Sequence, residues 1–147
     1  MAWSAGDSPM DARTLRVLEY DAVRQRLRSH AASALGKELA ERLEPATDAD
    51  EVVRLLAETS QARAILAAAH RAPLGGIYDV RAQVRNAARG GVLTARDLME
   101  VAGTLYCSRQ MRRFLLETEV EAPLVIARAD RLRAFPDIEG AIESSID

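Results

Sequence analysis

The chain has 147 residues, 48% of them hydrophobic and 29% charged, which suits one globular domain or a large part of one. Its formal net charge of −2 argues against a free-standing nucleic-acid-binding domain, which would be basic overall, although one basic face remains compatible with it. Aromatic residues make up only 4%, so the core must consist of Leu, Ala, Val and Ile, which favours packed helices over a β-sandwich.

The N-terminal stretch lacks the basic and apolar regions of a signal peptide. Residues 1–10 are interpreted as a disordered leader, or alternatively as sequence upstream of a true start at Met10. Cys107 is the only cysteine, so the sequence excludes a disulfide framework and a zinc site built from several cysteines. No apolar run approaches the roughly 20 residues that a membrane span requires. We therefore expect a cytoplasmic protein with no membrane contact.

Helical patterning begins near residue 11. Residues 14–19 predict a first helical turn, and Asp21 is placed to cap the helix that follows. Ser33 is placed to start the next helix, which Pro45 stops because the residue before a proline avoids helical geometry.

The clearest prediction is a long helix over residues 48–70. Thr47 stands three residues before Asp50, an arrangement that resembles a capping box. Positions 52, 55, 59, 62, 66 and 69 follow one another in alternating steps of three and four residues. All of them except Thr59 hold apolar residues. This spacing predicts the seam of a helix packed lengthwise on another helix, as in a long antiparallel hairpin.

Four further helices are predicted after the break at residues 72–76. A short helix covers residues 79–88, and Gly90 ends it by allowing a left-handed backbone. Thr94, with Asp97 three residues later, caps a second long helix over 94–117. Prolines at 123 and 136 open two final helices. The predicted fold class is all-α, an elongated bundle with long antiparallel helices.

Most catalytic signatures fail when they are tested on the residues. A P-loop needs Gly, four residues and then Gly-Lys-Ser/Thr, but Ala31 and Glu38 occupy two of those places around Gly36-Lys37. His30 and His70 sit near predicted helix ends, which favours a dipole-facing role over metal binding. Cys107 has no evident base partner, which favours a buried, inert thiol. No catalytic, cofactor-binding or metal-binding residue is predicted, and we expect no enzyme activity from this segment.

One charged cluster is a candidate contact for nucleic acid or for an acidic partner. Arg109, Arg112 and Arg113 lie three and four residues apart, so they share one side of the second long helix. The alternative is a solvated face in which these arginines pair with acids such as Glu117, four residues beyond Arg113. Only Lys37 among the 20 basic residues is a lysine, a bias that a GC-rich genome explains at least as well as phosphate binding does.

Five stretches, taken in order, resemble the start of the second bacterial branch of the MutS family, the MutS-two proteins. They are residues 14–21 (TLRVLEYD), 34–40 with 43–45 (ALGKELA and LEP), 55–62 (LLAETSQA), 73–80 (PLGGIYDV) and 90–93 (GGVL). The resemblance covers residues 11–116 in good register and the remainder weakly. No single stretch is specific, but five in the same order indicate a relationship.

The resemblance implies a homodimeric ATPase with a helical core-and-lever region interrupted by a clamp. An ABC-type ATPase domain and usually an Smr nuclease-like domain would follow. ATP and magnesium are implied for the parent protein, and none of the residues that would bind them lies in this chain. Branched DNA, the stalled ribosome, or both, are the implied targets, with roles in suppressing recombination or in ribosome rescue.

The resemblance also suggests a division of the chain. Residues 11–118 would form the core and lever segment, and 119–147 would begin further lever or clamp helices that continue in a longer parent. Apolar faces would then be partly uncovered, so we expect self-association through the helices at 48–70 and 94–117. The alternative is a free-standing helical module for protein–protein interaction.

Overall fold

A computed structural model of the chain describes residues 12–69 and 71–146, and within them every regular element is a helix. The all-α prediction is confirmed. The predicted leader at residues 1–10 and His70 lie outside the described residues. The helices are α1 Ala12–Val17, α2 Tyr20–His30, α3 Ala34–Glu41, α4 Ala49–Ala68, α5 Arg81–Ala88, α6 Ala95–Leu116, α7 Pro123–Ala129 and α8 Pro136–Ile146.

The two long helices are present, and one of them begins as predicted. Helix α4 has 20 residues and α6 has 22, so each exceeds five turns. At the start of α6, the Asp97 backbone N–H donates to Thr94 Oγ1 (3.2 Å) and the Thr94 N–H donates to Asp97 Oδ2 (2.9 Å), which completes a capping box. Helix α4 differs from the prediction, because Asp48 rather than Thr47 accepts a backbone N–H, that of Glu51 at 2.8 Å.

The described chain divides into two compact units, with the boundary inside α4 between residues 57 and 58. In the first unit α1 packs on α2 and α2 packs on α3. Ser33 caps α3 as predicted, accepting the Gly36 N–H at 3.0 Å. The predicted cap of α2 is wrong: Glu19 occupies the N-cap position with a left-handed φ of 51°, and Asp21 lies inside the first turn.

The core of the second unit is built around four buried residues from four places in the sequence. Ile65 of α4 packs with Leu115 of α6, Ala122 before α7 and Ala129 at the end of α7. Partly buried apolar side chains complete this cluster; they are Met111, Phe114, Val120, Val125 and Ile126. Burial of these side chains is the main favourable contribution to the packing of this unit.

The predicted seam of α4 is only partly correct, since Ala62 and Ala69 are half-buried but other members lie at the surface. Leu55 and Leu66, both assigned to the seam, are 39% and 53% exposed, whereas Ile65 is 3% exposed. The more buried face of α4 in the second unit carries Glu58, Gln61, Ala62 and Ile65, and Ala69 follows just beyond the helix. Two of these residues are polar, and their hydrogen bonds to α7 explain why the face does not follow the apolar pattern.

Helix α7 is held against α4 by side chains of α4. Gln61 Oε1 accepts the backbone N–H groups of Leu124 (2.9 Å) and Val125 (3.4 Å). One turn earlier, the Glu58 carboxylate accepts hydrogen bonds from Nε (2.8 Å) and Nη2 (2.9 Å) of Arg128.

Over the described residues, none of the helices is both long and apolar enough to cross a membrane.

Candidate nucleic-acid interface

The predicted arginine cluster lies on the C-terminal half of α6, and its first member is engaged within the fold. Arg109 binds Glu139 of α8 in a two-point ion pair, with Nε 3.2 Å from Oε1 and Nη2 2.9 Å from Oε2. The guanidinium also lies over the Tyr106 ring, 5.2 Å from its centroid. The hydrogen bond to Glu139 raises the pKa of Arg109 above its ordinary value. Arg109 thus connects α6 to α8.

The burial of Glu139 explains why Arg109 is paired with it. Its side chain is only 8% exposed, whereas that of Arg109 is 43% exposed. A buried carboxylate without a counter-charge would be costly, so Glu139 requires the guanidinium of Arg109. Sequence reasoning did not single out Glu139, because an acid in the first turn of a helix is ordinarily a solvated, dipole-facing residue.

The other two arginines of the cluster differ from Arg109 and from each other. Arg113 Nε lies 2.8 Å from Glu117 Oε1, and both side chains are well exposed. This is the i,i+4 pair predicted as the alternative to a ligand contact, and that pair is confirmed. Arg112 is half-buried and forms no ion pair with any residue in the ranges 12–69 and 71–146. The contact of these three arginines with nucleic acid or a partner stays a prediction.

A different side of α6 contacts the non-helical segment that precedes α5. The Cys107 thiol donates to the Pro73 carbonyl oxygen at 3.0 Å, and the Tyr78 N–H donates to Thr104 Oγ1 at 3.0 Å. A Cβ at Gly103 would lie 3.3 Å from the Tyr78 ring, so glycine permits this close approach. Cys107 is buried, as predicted, and burial raises the pKa of its thiol.

The residues that most resemble a phosphate-binding loop do not form one. Gly36 and Lys37 lie within the first turn of α3, where the Gly36 N–H donates to Ser33 Oγ and the Lys37 N–H to the Ser33 carbonyl. These amides therefore serve the helix start and do not converge on a common point. His30 is the last residue of α2, as its predicted position near a helix end requires. Within the described ranges, no three His, Cys, Asp or Glu residues are grouped so as to hold a metal ion.

Known proteins with similar sequences are MutS2 proteins. Endonuclease MutS2 of Symbiobacterium thermophilum is 44% identical over 138 residues, which is 94% of this chain. Endonuclease MutS2 of a Geobacillus species is 40% identical over 141 residues, and that of Bacillus cytotoxicus is 38% identical over 137 residues. The resemblance to the MutS-two branch is confirmed. No family model matches the chain.

The match covers nearly all of this chain but only a small part of each MutS2 relative. The aligned region is 17% of the Symbiobacterium protein and 18% of the Geobacillus protein. The chain is therefore homologous to a segment of MutS2 proteins, and most of the length of those proteins has no counterpart in it.

Proposed function

We propose that the chain is a non-catalytic helical segment of a MutS-like ATPase, with a scaffold and lever role. The observation that carries this proposal is the similarity to MutS2 proteins over 91–94% of the chain. The long helices α4 and α6 support it, because a continuous helix of 22 residues spans about 33 Å and can transmit a displacement over that distance. The proposal includes the division into residues 11–118 and 119–147.

The lever role also finds support in contacts between elements that are distant in sequence. Arg128 and Glu58 are 70 residues apart, and Arg109 and Glu139 are 30 residues apart. Each pair joins a short helix to a long one, so the short helix would move with the long one. In the proposed parent protein, such connections would pass the nucleotide state from an ATPase domain toward a clamp.

The parent protein would bind ATP and magnesium through residues that this chain does not contain. It would act as a homodimer in the cytoplasm on branched DNA, on the stalled ribosome, or on both, and possess an endonuclease domain. Suppression of recombination and rescue of ribosomes are the corresponding roles. The name of the relatives, Endonuclease MutS2, is consistent with this class of parent.

The first test is to read the source gene beyond the codon for Asp147. A Gly-x-x-x-x-Gly-Lys-Ser/Thr motif downstream is the expected result, because a MutS-like motor requires a P-loop. An immediate stop codon would contradict the proposal.

A second test addresses the lever role in the full-length protein. Arg109→Ala and Glu139→Gln should each leave basal ATP hydrolysis intact and reduce its stimulation by a four-way DNA junction, because each removes the ion pair between α6 and α8. The matched control is Arg113→Ala with Glu117→Gln, which removes an exposed pair within α6 alone. Equal stimulation in all these variants would remove the argument for transmission through this link. Loss of stimulation with Arg109→Ala only would indicate direct contact of Arg109 with DNA.

The second candidate function is a free-standing module for protein–protein interaction. Exposed apolar side chains on the long helices favour it, including Leu56 at 63% and Met99 at 60% exposure. It predicts a defined protein partner whose binding changes little with salt concentration. Binding to branched DNA or ribosomal RNA that weakens steeply with salt would favour the first proposal instead.

A further inference from the structure

Helix α5 presents a row of arginines on the face opposite to its contact with α6. Gln83 marks the inner face, since its Nε2 donates to Glu100 Oε2 at 3.0 Å and to Asp97 Oδ1 at 3.4 Å. Successive residues of an α-helix are rotated by about 100°. Arg81, Arg85 and Arg89 therefore lie roughly 160° to 240° around the axis from Gln83. All three side chains are exposed.

The charge of this face is only partly compensated. Asp79 binds Arg81, with Oδ2 2.6 Å from Nη2, and the pKa of Asp79 is lowered to about 2 because Arg81 donates hydrogen bonds to it. Arg85 and Arg89 form no ion pair with any residue in the described ranges. Counting described residues only, the face carries three arginines and one aspartate, although the chain as a whole has a net charge of −2.

The end of α5 is fixed by local hydrogen bonds, which gives Arg89 a defined position. The Gly90 N–H donates to the Ala87 carbonyl (2.9 Å) and the Gly91 N–H to the Asn86 carbonyl (3.0 Å), the pattern of a Schellman motif. The left-handed φ of Gly90, 78°, is what this motif requires. The turn is held further by Asn86 Nδ2, which donates to the Val92 carbonyl at 3.1 Å.

The arginines are spaced four residues apart, about 6 Å along the helix axis. Ala82 and Ala88 are the exposed residues that flank this row, and both have small side chains. A phosphate backbone can therefore approach this face of the helix without meeting a bulky side chain of α5. The planar fork of each guanidinium is suited to two-point contact with phosphate oxygens.

We propose that this face of α5 binds the phosphate backbone of nucleic acid through Arg81, Arg85 and Arg89. The proposal rests on the proposed function, in which the parent acts on DNA or ribosomal RNA. Protein partners usually dock around apolar or aromatic anchors, and this face of α5 has none. An unspecific, salt-dependent contact with phosphates fits the row of arginines better than an acidic protein surface does.

The test compares the 147-residue chain with Arg85→Gln/Arg89→Gln, using a fluorescein-labelled four-way DNA junction as the probe. Loss of two phosphate contacts should weaken binding at least about tenfold near 0.1 M salt and lower the slope of log K against log[salt] by about 2. Arg26→Gln/Arg63→Gln is the matched control, because it removes the same charge from two exposed arginines on other helices. Arg85→Lys/Arg89→Lys should keep most of the slope. Circular dichroism checks that each variant retains its helices.

Three outcomes would overturn the proposal. If Arg85→Gln/Arg89→Gln and Arg26→Gln/Arg63→Gln bind the junction equally well, other residues make the contact. If the unmodified chain does not bind the junction, the proposal fails. Competition by polyglutamate as effective as that by duplex DNA, per unit charge, assigns the face to an acidic protein partner. The proposed function fails separately, through an immediate stop codon after Asp147, so the two failures are distinguishable.

Discussion

Gln61 accepts a hydrogen bond from the backbone N–H of Leu124 at 2.9 Å, although 63 residues separate them. Helix α7 begins at Pro123, and the residue at its N-cap position, Ala122, has no side-chain acceptor for the free amides of the first turn. Gln61 supplies that acceptor from α4. The start of α7 is thus completed by a residue of another helix.

Replacing Gln61 with Leu should therefore destabilise the second unit. The N–H of Leu124 would lose its acceptor in a part-buried place, whereas that of Val125 keeps the Ala122 carbonyl at 3.1 Å. The loss is comparable to that of a helix cap, about 1–2 kcal/mol. Urea unfolding followed by circular dichroism measures the change. Gln61→Glu keeps an acceptor and should retain most of the stability, and Gln25→Leu on the exposed surface of α2 is the matched control. Equal midpoints for Gln61→Leu and Gln25→Leu would contradict the capping role.

The sequence was sufficient to predict features that depend on neighbouring residues. The capping box of Thr94 and Asp97, the cap at Ser33 and the left-handed Gly90 all use groups within a few residues of one another. The start of α4 shows the limit of this reasoning. Thr47 and Asp48 are both good capping residues, and the choice between them depends on backbone geometry that the sequence pattern does not contain.

The interior of the second unit depends on contacts that no local pattern reveals. Gln61 and Glu139 are polar, so hydrophobic periodicity selected neither of them for the interior, yet their partners lie 63 and 30 residues away. The same cause misplaced the seam of α4. In the candidate site, Arg109 and Arg113 were grouped by their spacing alone. In the structure they have different partners, because Arg109 binds the buried Glu139 of α8 and Arg113 binds the exposed Glu117 nearby.

Arg109→Gln should lower the midpoint of urea unfolding more than Arg113→Gln does. The first change leaves the buried carboxylate of Glu139 without its cation, whereas the second breaks an exposed pair of the kind that contributes little. Arg109→Met/Glu139→Leu should recover part of the loss, because it removes the buried charge together with its partner. If Arg113→Gln has the larger effect, Arg109 does not stabilise the contact between α6 and α8.

Asp97→Asn should destabilise the chain at neutral pH and have a smaller effect in acid. Hydrogen bonds from the side chain and backbone of Thr94 lower the pKa of Asp97 below its ordinary 3.8. The carboxylate therefore contributes stability above the unfolded pKa, and this contribution is lost as the pH falls through the lower folded pKa. Urea unfolding of both proteins at pH 7 and near pH 2 measures the difference.

Thr94→Ala tests the same capping box from its other side. It removes a hydroxyl that accepts from the Asp97 N–H and donates to Asp97 Oδ2 at 2.6 Å, so it should cost about 1 kcal/mol at neutral pH and weaken the pH dependence as well. A difference between Asp97→Asn and the unmodified chain that stays constant from pH 7 to pH 2 would show that the charge of Asp97 does not contribute.

The chain should self-associate through the exposed apolar side chains of α4 and α6. Leu66 is 53% exposed and Met99 is 60% exposed, so pairing with a second copy would remove apolar surface from water. Sedimentation equilibrium should show a concentration-dependent dimer, and Leu66→Lys/Met99→Lys should shift it toward monomer. Leu39→Lys, at a leucine on α3 that is 71% exposed, should leave the equilibrium unchanged. A monomer at the highest concentration measured would contradict self-association, and an equal effect of all three substitutions would assign it to general hydrophobicity.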